Sequence, residues 1–275
     1  MDRDEQAIAI IREFSPTTGE PLHVAFSGGK DSVVLLDLVR RAAVPHAARY
    51  NVTGIDPPEL TRFIRAQYPD VEWTPPKRPF FMAMMSRGYP SRRNRWCCHE
   101  LKEERIGNSS MVATGVRSAE SAKRSMRQVV ESCFRRPGVR YLNPILEWSD
   151  DDVWTYIRGR GLPYCPLYDE GWRRIGCVLC PQASDKTRAR QAERWPRFVA
   201  AYRAAFRRLW TKRMASPRSG KSWAMFRDGD ELFEWWLYFT PPASRLAEAA
   251  AVEEAEAEAG EDGDGQRRLF LSDDA

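Results

Sequence analysis

One six-residue segment constrains this chain more than any other feature. Ser27-Gly28-Gly29-Lys30-Asp31-Ser32 lies between an apolar stretch, 22–26, and a Leu- and Val-rich stretch of helical periodicity, 33–43. Glycines let the backbone approach an anion without a Cβ clash, and the first N–H groups of a following helix point at that anion. The serine hydroxyls and the lysine ammonium add further donors and charge. Although it lacks the Walker A spacing, the segment predicts a phosphate-binding loop; the alternative is an ordinary strand-to-helix turn.

Strand-like and helical stretches alternate around this loop. Apolar runs with strand character occupy 22–26, 47–52, 71–74 and 111–115, and helical patterns occupy 5–14, 33–43, 59–67 and 150 to about 160. The last of these helices follows a cap at Ser149, and three acidic residues in its first turn suit the helix dipole. Alternation at this spacing predicts βαβ units. We therefore expect an α/β fold with a doubly wound, mostly parallel sheet of about five strands, with a nucleotide at their carboxyl ends.

Composition narrows the class of protein. The chain has 275 residues, of which 43% are hydrophobic and 29% charged, so global disorder, a collagen-like chain and a membrane protein are excluded. The longest apolar runs fall far short of the roughly 20 residues that span a bilayer. The first residues show no apolar leader segment. We therefore expect a cytoplasmic protein with no membrane partner.

The net charge of +5 conceals an uneven distribution. Residues 247–275 carry a net charge of −8, so residues 1–246 carry +13. A basic body of this size favours an anionic partner, either a nucleotide or a nucleic acid, although a well-solvated surface is the simpler alternative. The bases that would face a nucleic acid are Lys123, Arg124, Arg127, Arg135, Arg136, Arg140, Arg173, Arg174, Lys186, Arg188 and Arg190.

Changes in composition along the chain indicate three regions. We predict a nucleotide-binding domain with a cysteine site at 1–220, an aromatic C-terminal docking segment at 221–246 and an acidic disordered tail at 247–275. Within the first region, 184–213 has the pattern of one long basic helix. The aromatic residues between 223 and 239 favour docking on the core or an oligomer contact, and a homodimer is a candidate assembly.

Four of the six cysteines form a second constellation. Cys97-Cys98 and Cys177-x-x-Cys180 are two pairs separated by 78 residues. With no export signal, metal binding or catalysis is a better expectation than disulfides. Four thiolates suit a [4Fe–4S] cluster or a tetrahedral zinc, and spacing alone does not choose between them. Four buried thiols without a metal are the remaining alternative.

The phosphate loop, the cysteine pairs and the motifs between them resemble, in their order along the chain, the PP-loop ATP pyrophosphatase superfamily. Within that superfamily they resemble the iron–sulfur type of the PAPS reductase family (phosphoadenosine phosphosulfate and adenylyl sulfate reductases). The resemblance covers about residues 22–181. Leu60 and Cys165 stand where the family usually has Thr and Asn. The adjacent pair Cys97-Cys98 followed by Cys-x-x-Cys resembles the cluster signature of the iron–sulfur adenylyl-sulfate reductases. The other motifs are 27–32, Thr53-Gly54-Ile55-Asp56-Pro57-Pro58-Glu59, Thr114-Gly115-Val116-Arg117, Asn143-Pro144-Ile145 with Trp148, Asp152-Val153-Trp154, and 163–171.

The resemblance implies an adenine-nucleotide alpha-hydrolase-like fold and site residues at the matching positions. Lys30 would steady pyrophosphate, Asp31 would hold Mg²⁺ or fix the loop, and Arg117 would contact phosphate, so these three are the candidate catalytic residues. A [4Fe–4S] cluster, with zinc as the alternative, would be held by Cys97, Cys98, Cys177 and Cys180. ATP and Mg²⁺ are the other implied cofactors. The implied nucleotide-binding residues are Ser27, Gly28, Gly29, Lys30, Asp31, Ser32, Thr53, Gly54, Gly115 and Arg117.

One feature of the reductases is missing. They carry a mobile C-terminal cysteine that attacks the sulfur, whereas this sequence has no cysteine after Cys180. Cys133 and Cys165 have no partner spacing and are expected to be packed small side chains. The leading hypothesis is therefore an iron–sulfur PP-loop enzyme that adenylates a substrate with ATP and supports sulfur transfer, with DNA or tRNA and a sulfur-donor protein as candidate partners. The alternatives are a reductase that releases sulfite and a non-catalytic nucleotide- or nucleic-acid-binding partner.

Overall fold

The computed structural model describes residues 2–17, 19–103, 110–216 and 223–238. The described residues divide into two compact units, one drawn from 2–80 with 90–182 and the other from 81–89 with 183–216 and 223–238. This division falls after Gln182, whereas the predicted nucleotide-binding domain extends to residue 220. The acidic tail predicted at 247–275 lies outside the described residues.

A six-stranded sheet forms the centre of the first unit, in the order β3–β2–β1–β4–β6–β5. Its strands are β1 (Leu22–Ala25), β2 (His46–Asn51), β3 (Glu72–Thr74), β4 (Met111–Ala113), β5 (Val130–Ser132) and β6 (Arg140–Leu142). Neighbouring strands are parallel except β5, which runs antiparallel to β6. The predicted α/β fold with a doubly wound, mostly parallel sheet is confirmed. The β5–β6 hairpin was not predicted, because strands of three residues are too short to show a periodicity.

The connections between strands create a switch point beside β1. From β1 the chain moves outward through β2 to β3, and it then returns to the other side of β1 as β4. The register pairs Leu22 with His46 on one side and His23 with Val112 on the other. The segments that follow β1, β2 and β4 therefore leave from one edge of the sheet. In open α/β sheets ligands bind at this crevice.

Helix α2 begins inside the predicted loop. The helices of the first unit are α1 (Arg3–Phe14), α2 (Lys30–Ala42), α3 (Pro58–Gln67), α5 (Trp96–Leu101), α6 (Ala122–Ser125) and α7 (Asp150–Arg160). Of helix α4 (Phe80–Arg87), only Phe80 belongs to this unit. Gly29 has extended backbone angles and caps α2, so Lys30, Asp31 and Ser32 form its first turn. The apolar residues from 33 to 39 then bury this helix. The predicted cap of α7 is present, since Ser149 accepts a hydrogen bond from the Asp152 N–H.

The second unit is helical. It contains the rest of α4, α8 (Asp185–Arg194), α9 (Pro196–Met214) and α10 (Gly229–Tyr238). The helical stretch predicted over 184–213 is helical but divided into two helices, because the chain breaks at Trp195, where φ is −127° and ψ is 66°. Pro196 has no N–H and disfavours a helical residue before it, so it starts a new helix instead. Among the helices of the described ranges, none combines the length and apolarity needed to cross a membrane.

The aromatic segment packs within the second unit. Trp236 of α10 stacks on Tyr202 of α9 with ring centroids 5.2 Å apart, and Phe233 contacts Phe206 at 5.5 Å. Arg188, expected among the bases that face a nucleic acid, is 1% exposed instead. Its guanidinium donates to the Trp236 carbonyl at 2.6 Å and lies 4.7 Å from the ring centroid. Arg188 therefore connects α8 to α10. The prediction that Arg188 faces a nucleic acid is wrong, because its side chain is buried.

His23 on β1 predicts a pH dependence of stability. It is 2% exposed, and burial, with a smaller contribution from Arg49, lowers its pKa to about 4. The unfolded chain therefore gains a proton that the folded chain lacks as the pH falls from about 6.5 to about 4, and stability should fall through that window. We expect a loss of roughly 2–3 kcal/mol in urea unfolding. His23→Leu should remove this loss, and an unchanged pH dependence in that variant would contradict the assignment.

Candidate functional site

Hydrogen bonds within the loop between β1 and α2 determine its shape. The Ser27 N–H donates to Ser32 Oγ at 3.2 Å, and Ser32 Oγ lies 2.8 Å from the Gly29 carbonyl, to which it donates. The Gly29 N–H donates to Ser27 Oγ at 3.4 Å. Ser32 is buried and Ser27 is exposed. In this structure the serine hydroxyls organise the loop, and their contact with phosphate stays a prediction.

Two glycines permit close backbone approaches at this site. Gly28 has φ +73°, and a Cβ there would lie 2.7 Å from the Ile64 side chain and 2.8 Å from that of Leu60, both on α3. A Cβ on Gly115 would lie 2.9 Å from the carbonyl carbon and oxygen of Asp31. The backbone of the loop therefore packs closely on side chains of α3, and the backbone of the segment after β4 packs closely on the first turn of α2.

Two buried cations and two carboxylates form a closed network beside the loop. Lys30 is 5% exposed and Arg117 is 2% exposed. Lys30 Nζ lies 3.2 Å from Asp31 Oδ1 and 3.1 Å from Asp150 Oδ1. The Arg117 guanidinium donates to Asp31 Oδ1 at 2.6 Å, to the Trp148 carbonyl at 3.1 Å and to Asp150. The structure thus brings the three predicted catalytic residues together, with Asp31 bonded to both cations in a way that fixes the loop.

Asp150 is a site residue that sequence reasoning missed. It lies in the first turn of α7, and its side chain is 63% exposed, so it covers the two cations from the solvent side. Partial burial raises the pKa of Asp150, but Lys30 and Arg117 outweigh that effect and lower it below the usual range. The run of three aspartates is a visible signal in the sequence, but a favourable interaction with the helix dipole is enough to account for it.

Tyr168 is a second residue that was missed. Its hydroxyl accepts a hydrogen bond from the Lys30 N–H at 2.9 Å, across 138 residues of sequence. The ring stands edge-on to Trp154, with centroids 5.2 Å apart. The hydroxyl therefore accepts a hydrogen bond from one of the first N–H groups of α2. These are the groups with which a helix N-terminus binds an anion. A phosphate that accepted from this N–H would replace the tyrosine oxygen.

The turn after β2 is organised by a buried carboxylate. Asp56 accepts hydrogen bonds from Thr53 Oγ1 at 2.7 Å and from the Tyr50 hydroxyl at 2.6 Å. Burial, reinforced by the charge of Asp56, raises the pKa of Tyr50 well above its usual value. Thr53 is buried and Gly54 is exposed, with φ +77°. These two predicted nucleotide-binding residues therefore lie in a rigid turn next to the strand that precedes the phosphate loop.

The Cys177-x-x-Cys180 segment docks on that turn. The Val178 N–H donates to the Ile55 carbonyl at 2.8 Å. Cys177 Sγ lies 4.0 Å from Thr53 Oγ1, although the two residues are 124 positions apart. The fold thus joins the predicted nucleotide site to the second cysteine pair by direct contact.

Cys97 and Cys98 lie in α5 and are half-buried, as are Cys177 and Cys180. A hydrogen bond between the two neighbouring thiols lowers the pKa of Cys98 and raises that of Cys97, and burial raises the latter further. Arg95 also bonds the Cys98 sulfur and helps to lower its pKa. The charges of Cys177 and Cys180 raise the pKa of Cys97. The other three cysteines of the set therefore all influence Cys97.

Lys102, which follows α5, is a cation beside this cluster of sulfurs. The charge of Cys177 raises the pKa of Lys102, and burial raises the pKa of Cys177 against the effect of that lysine. Four thiols beside two cations fit a metal group bound by thiolates, which carries negative charge. Within the described ranges, however, no group of three or more His, Cys, Asp or Glu side chains is arranged to hold a metal ion. The donor chemistry of the four cysteines fits such a group.

The remaining predicted residues are more dispersed. Cys165 is fully buried, as expected for a packed small side chain. Cys133 is half-buried, and its Sγ donates to the Tyr141 hydroxyl at 3.5 Å. Among the predicted basic residues, Arg124 and Arg127 are ion-paired with Glu120 and Glu131. The exposed members are Lys123, Arg135, Arg140, Arg173, Arg174, Lys186 and Arg190.

Comparison with known proteins gives a consistent result. The sequence profile of the phosphoadenosine phosphosulfate reductase domain matches residues 21–183. A phosphoadenosine 5′-phosphosulfate reductase of Gloeobacter violaceus is 31% identical over 180 residues, which is 62% of this chain and 74% of that protein. An uncharacterized protein of Methanocaldococcus jannaschii is 29% identical over 195 residues, and the match covers 65% of this chain but only 40% of that relative. A phosphate complex of the phosphoadenylyl-sulfate reductase of Candida auris superposes with a TM-score of 0.49 at 21% identity, covering 62% of this chain and 88% of that one.

Proposed function

Because this chain belongs to the phosphoadenosine phosphosulfate reductase family, we propose that it binds ATP at the loop 27–32, adenylates a substrate and supports sulfur transfer to that substrate. The observation that carries the proposal is the contact between the two motifs. The cysteine turn is hydrogen-bonded to the turn that follows β2, and β2 pairs directly with the strand that leads into the phosphate loop. A nucleotide held at the loop would therefore react close to four sulfurs.

The proposed reaction has two steps. An oxygen of the acceptor attacks the α-phosphorus of ATP and forms an O–P bond, while the bond to the bridging oxygen breaks and pyrophosphate leaves. Hydrosulfide from a donor then bonds to the acceptor atom through its sulfur, and AMP leaves with the oxygen. The chain contributes position and charge: the N–H groups that begin α2 would hold phosphate oxygens, and Lys30 and Arg117 would offset their negative charge. Mg²⁺ would accompany the nucleotide and neutralise its phosphates.

The cysteine site has a supporting role in this proposal. Cys97, Cys98, Cys177 and Cys180 would hold a [4Fe–4S] cluster, with zinc as the alternative metal. When bound, the cluster would supply a redox-active or sulfide-binding centre. Arg95 and Lys102 would offset the charge of the thiolates, as they do for Cys98 and Cys177 in the structure.

Pyrophosphate release by protein purified without oxygen tests the nucleotide step. We expect release from ATP that DNA or tRNA stimulates. We also expect a broad visible absorption that dithionite bleaches, which Cys177→Ser should abolish. Cys133→Ser is the matched control because Cys133 is also half-buried but stands outside the four, and it should keep the absorption. A colourless wild-type protein with one zinc would overturn the iron assignment.

A reductase is the second candidate function. It is favoured by the relative that is 31% identical and is named a phosphoadenosine 5′-phosphosulfate reductase. None of residues 181–275 is a cysteine, and in this candidate function Cys133, Cys165 or a thiol of the electron donor would attack the sulfur. Sulfite release from adenylyl sulfate or its 3′-phosphorylated form, without pyrophosphate release from ATP, would replace the first proposal. Nucleotide binding with neither activity would leave a non-catalytic binding partner.

A further inference from the structure

The tip of the β5–β6 hairpin, residues 134–140, presents an aromatic ring that the proposed active site does not use. Phe134 is fully exposed, whereas phenylalanine is among the residues most often buried. The turn that carries it is well formed: the Cys133 N–H donates to the Val139 carbonyl at 2.8 Å, and Gly138 has φ +83°. The ring is therefore held in solvent by an ordered turn.

The hairpin tip is also strongly basic. Residues 134–140 contain three arginines and no acidic residue. Two of these, Arg135 and Arg140, are exposed. An exposed ring with exposed arginines beside it in the sequence is a combination with which proteins hold single strands of nucleic acid, since the ring stacks on a base while the cations bind the flanking phosphates.

The hairpin tip precedes β6 and therefore lies at the amino edge of the sheet, opposite the edge from which the phosphate loop leaves. Arg135 Nη1 bonds to Glu103 at 2.9 Å. Glu103 follows Lys102, whose carbonyl accepts a hydrogen bond from Asn51 at 2.9 Å. Asn51 ends β2, and the turn that begins with Thr53 follows it at once. Two side-chain contacts thus connect the hairpin tip to the turn after β2, and a strand bound at the tip would have to extend along the sheet to reach the site of the proposed reaction.

We propose that the hairpin tip binds single-stranded nucleic acid, with Phe134 stacked on an unpaired base and Arg135 and Arg140 on the neighbouring phosphates. This inference rests on the proposed function and names the class of its acceptor. A single strand fits better than a duplex because the faces of paired bases are already covered by their neighbours. Stacking on a ring tolerates any base, so the contact anchors the strand without selecting a sequence.

Fluorescence anisotropy with labelled oligo-dT, labelled oligo-U and a labelled DNA duplex tests the proposal on the full chain without ATP. We expect both single strands to bind more tightly than the duplex. Phe134→Ala should weaken single-strand binding by about tenfold or more, and Phe134→Trp should preserve it. Met82→Ala is the matched control, since Met82 is a 64% exposed apolar side chain on the other unit, and it should leave binding unchanged. Arg140→Gln should reduce the slope of log affinity against log salt by about 1.

The proposal would be overturned by the absence of single-strand binding at low salt, or by equal affinity of the wild type and Phe134→Ala while Arg140→Gln leaves the salt slope unchanged. Equal binding of polyglutamate and oligo-dT would also overturn it, because a polyanion without bases cannot stack. Since Phe134 is fully exposed, the variants should melt at the wild-type temperature. Binding is measured without turnover, so failure of pyrophosphate release would leave this result standing, and loss of binding would leave the nucleotide step standing.

Discussion

Replacing Arg117 by methionine is expected to destabilise the first unit by about 3–5 kcal/mol. Methionine keeps much of the apolar length but removes the guanidinium that binds Asp31, Asp150 and the Trp148 carbonyl. Arg117 is 2% exposed, so water cannot readily replace those hydrogen bonds. Urea unfolding of the wild type and the variant measures the effect.

Three further variants show whether the lost stability comes from the ion-pair network of Arg117. Arg158→Met replaces an exposed arginine and should change stability by no more than about 0.5 kcal/mol. Asp150→Asn should cost only about 1 kcal/mol because the carboxylate is 63% exposed. The Arg117→Met, Asp150→Asn double variant should lose less than the sum of the single losses, since both remove the same contact. Strict additivity would show that the two residues act independently.

Replacing Gly28 by alanine is expected to destabilise the first unit by about 2–4 kcal/mol and to lower pyrophosphate release. At φ +73° an L-residue is strained by about 1–2 kcal/mol. The new Cβ would lie 2.7 Å from Ile64, and such overpacking costs typically 1–3 kcal/mol. To relieve the overlap the loop must move away from α3, which shifts the N–H groups proposed to hold phosphate.

Gly161→Ala separates strain from overlap. Gly161, the C-cap of α7, has φ +61°, and a Cβ there meets nothing within 4 Å. It should therefore show the strain alone, about 1–2 kcal/mol, with pyrophosphate release unchanged. Equal losses in the two variants would mean that the approach of the loop to α3 is unimportant.

The outline of the fold could be predicted because its signals are local. The strands at β1, β2 and β4 and the helices α2, α3 and α7 each carry their own periodicity or cap within a dozen residues. The β5–β6 hairpin escaped notice because its strands are too short to show a period. The break before Pro196 had a clear local signal, which the long run of helical residues around it masked.

The candidate site likewise contains some residues that the sequence could identify and others that it could not. The loop residues, Gly115 and Arg117 could be named from motifs. Asp150 and Tyr168 could not be, since each owes its place to contact with Lys30, which lies in a distant part of the sequence. Helix α7 and the turn of Tyr168 must first pack against α2 before either side chain has a function there.

The amino-acid order alone was enough to predict the phosphate loop and the alternation of strands and helices, and to identify the two cysteine pairs and the excess of positive charge. Each of these depends only on the identity of residues that are close in sequence or on their count. Packing in three dimensions decided that Lys30 and Arg117 are buried against two carboxylates, and that the Cys177 turn meets Thr53. The physical reason is that a buried charge or thiol is stabilised by whichever partners come within a few ångströms. Those partners are chosen by the crossing of distant segments, which no local pattern encodes.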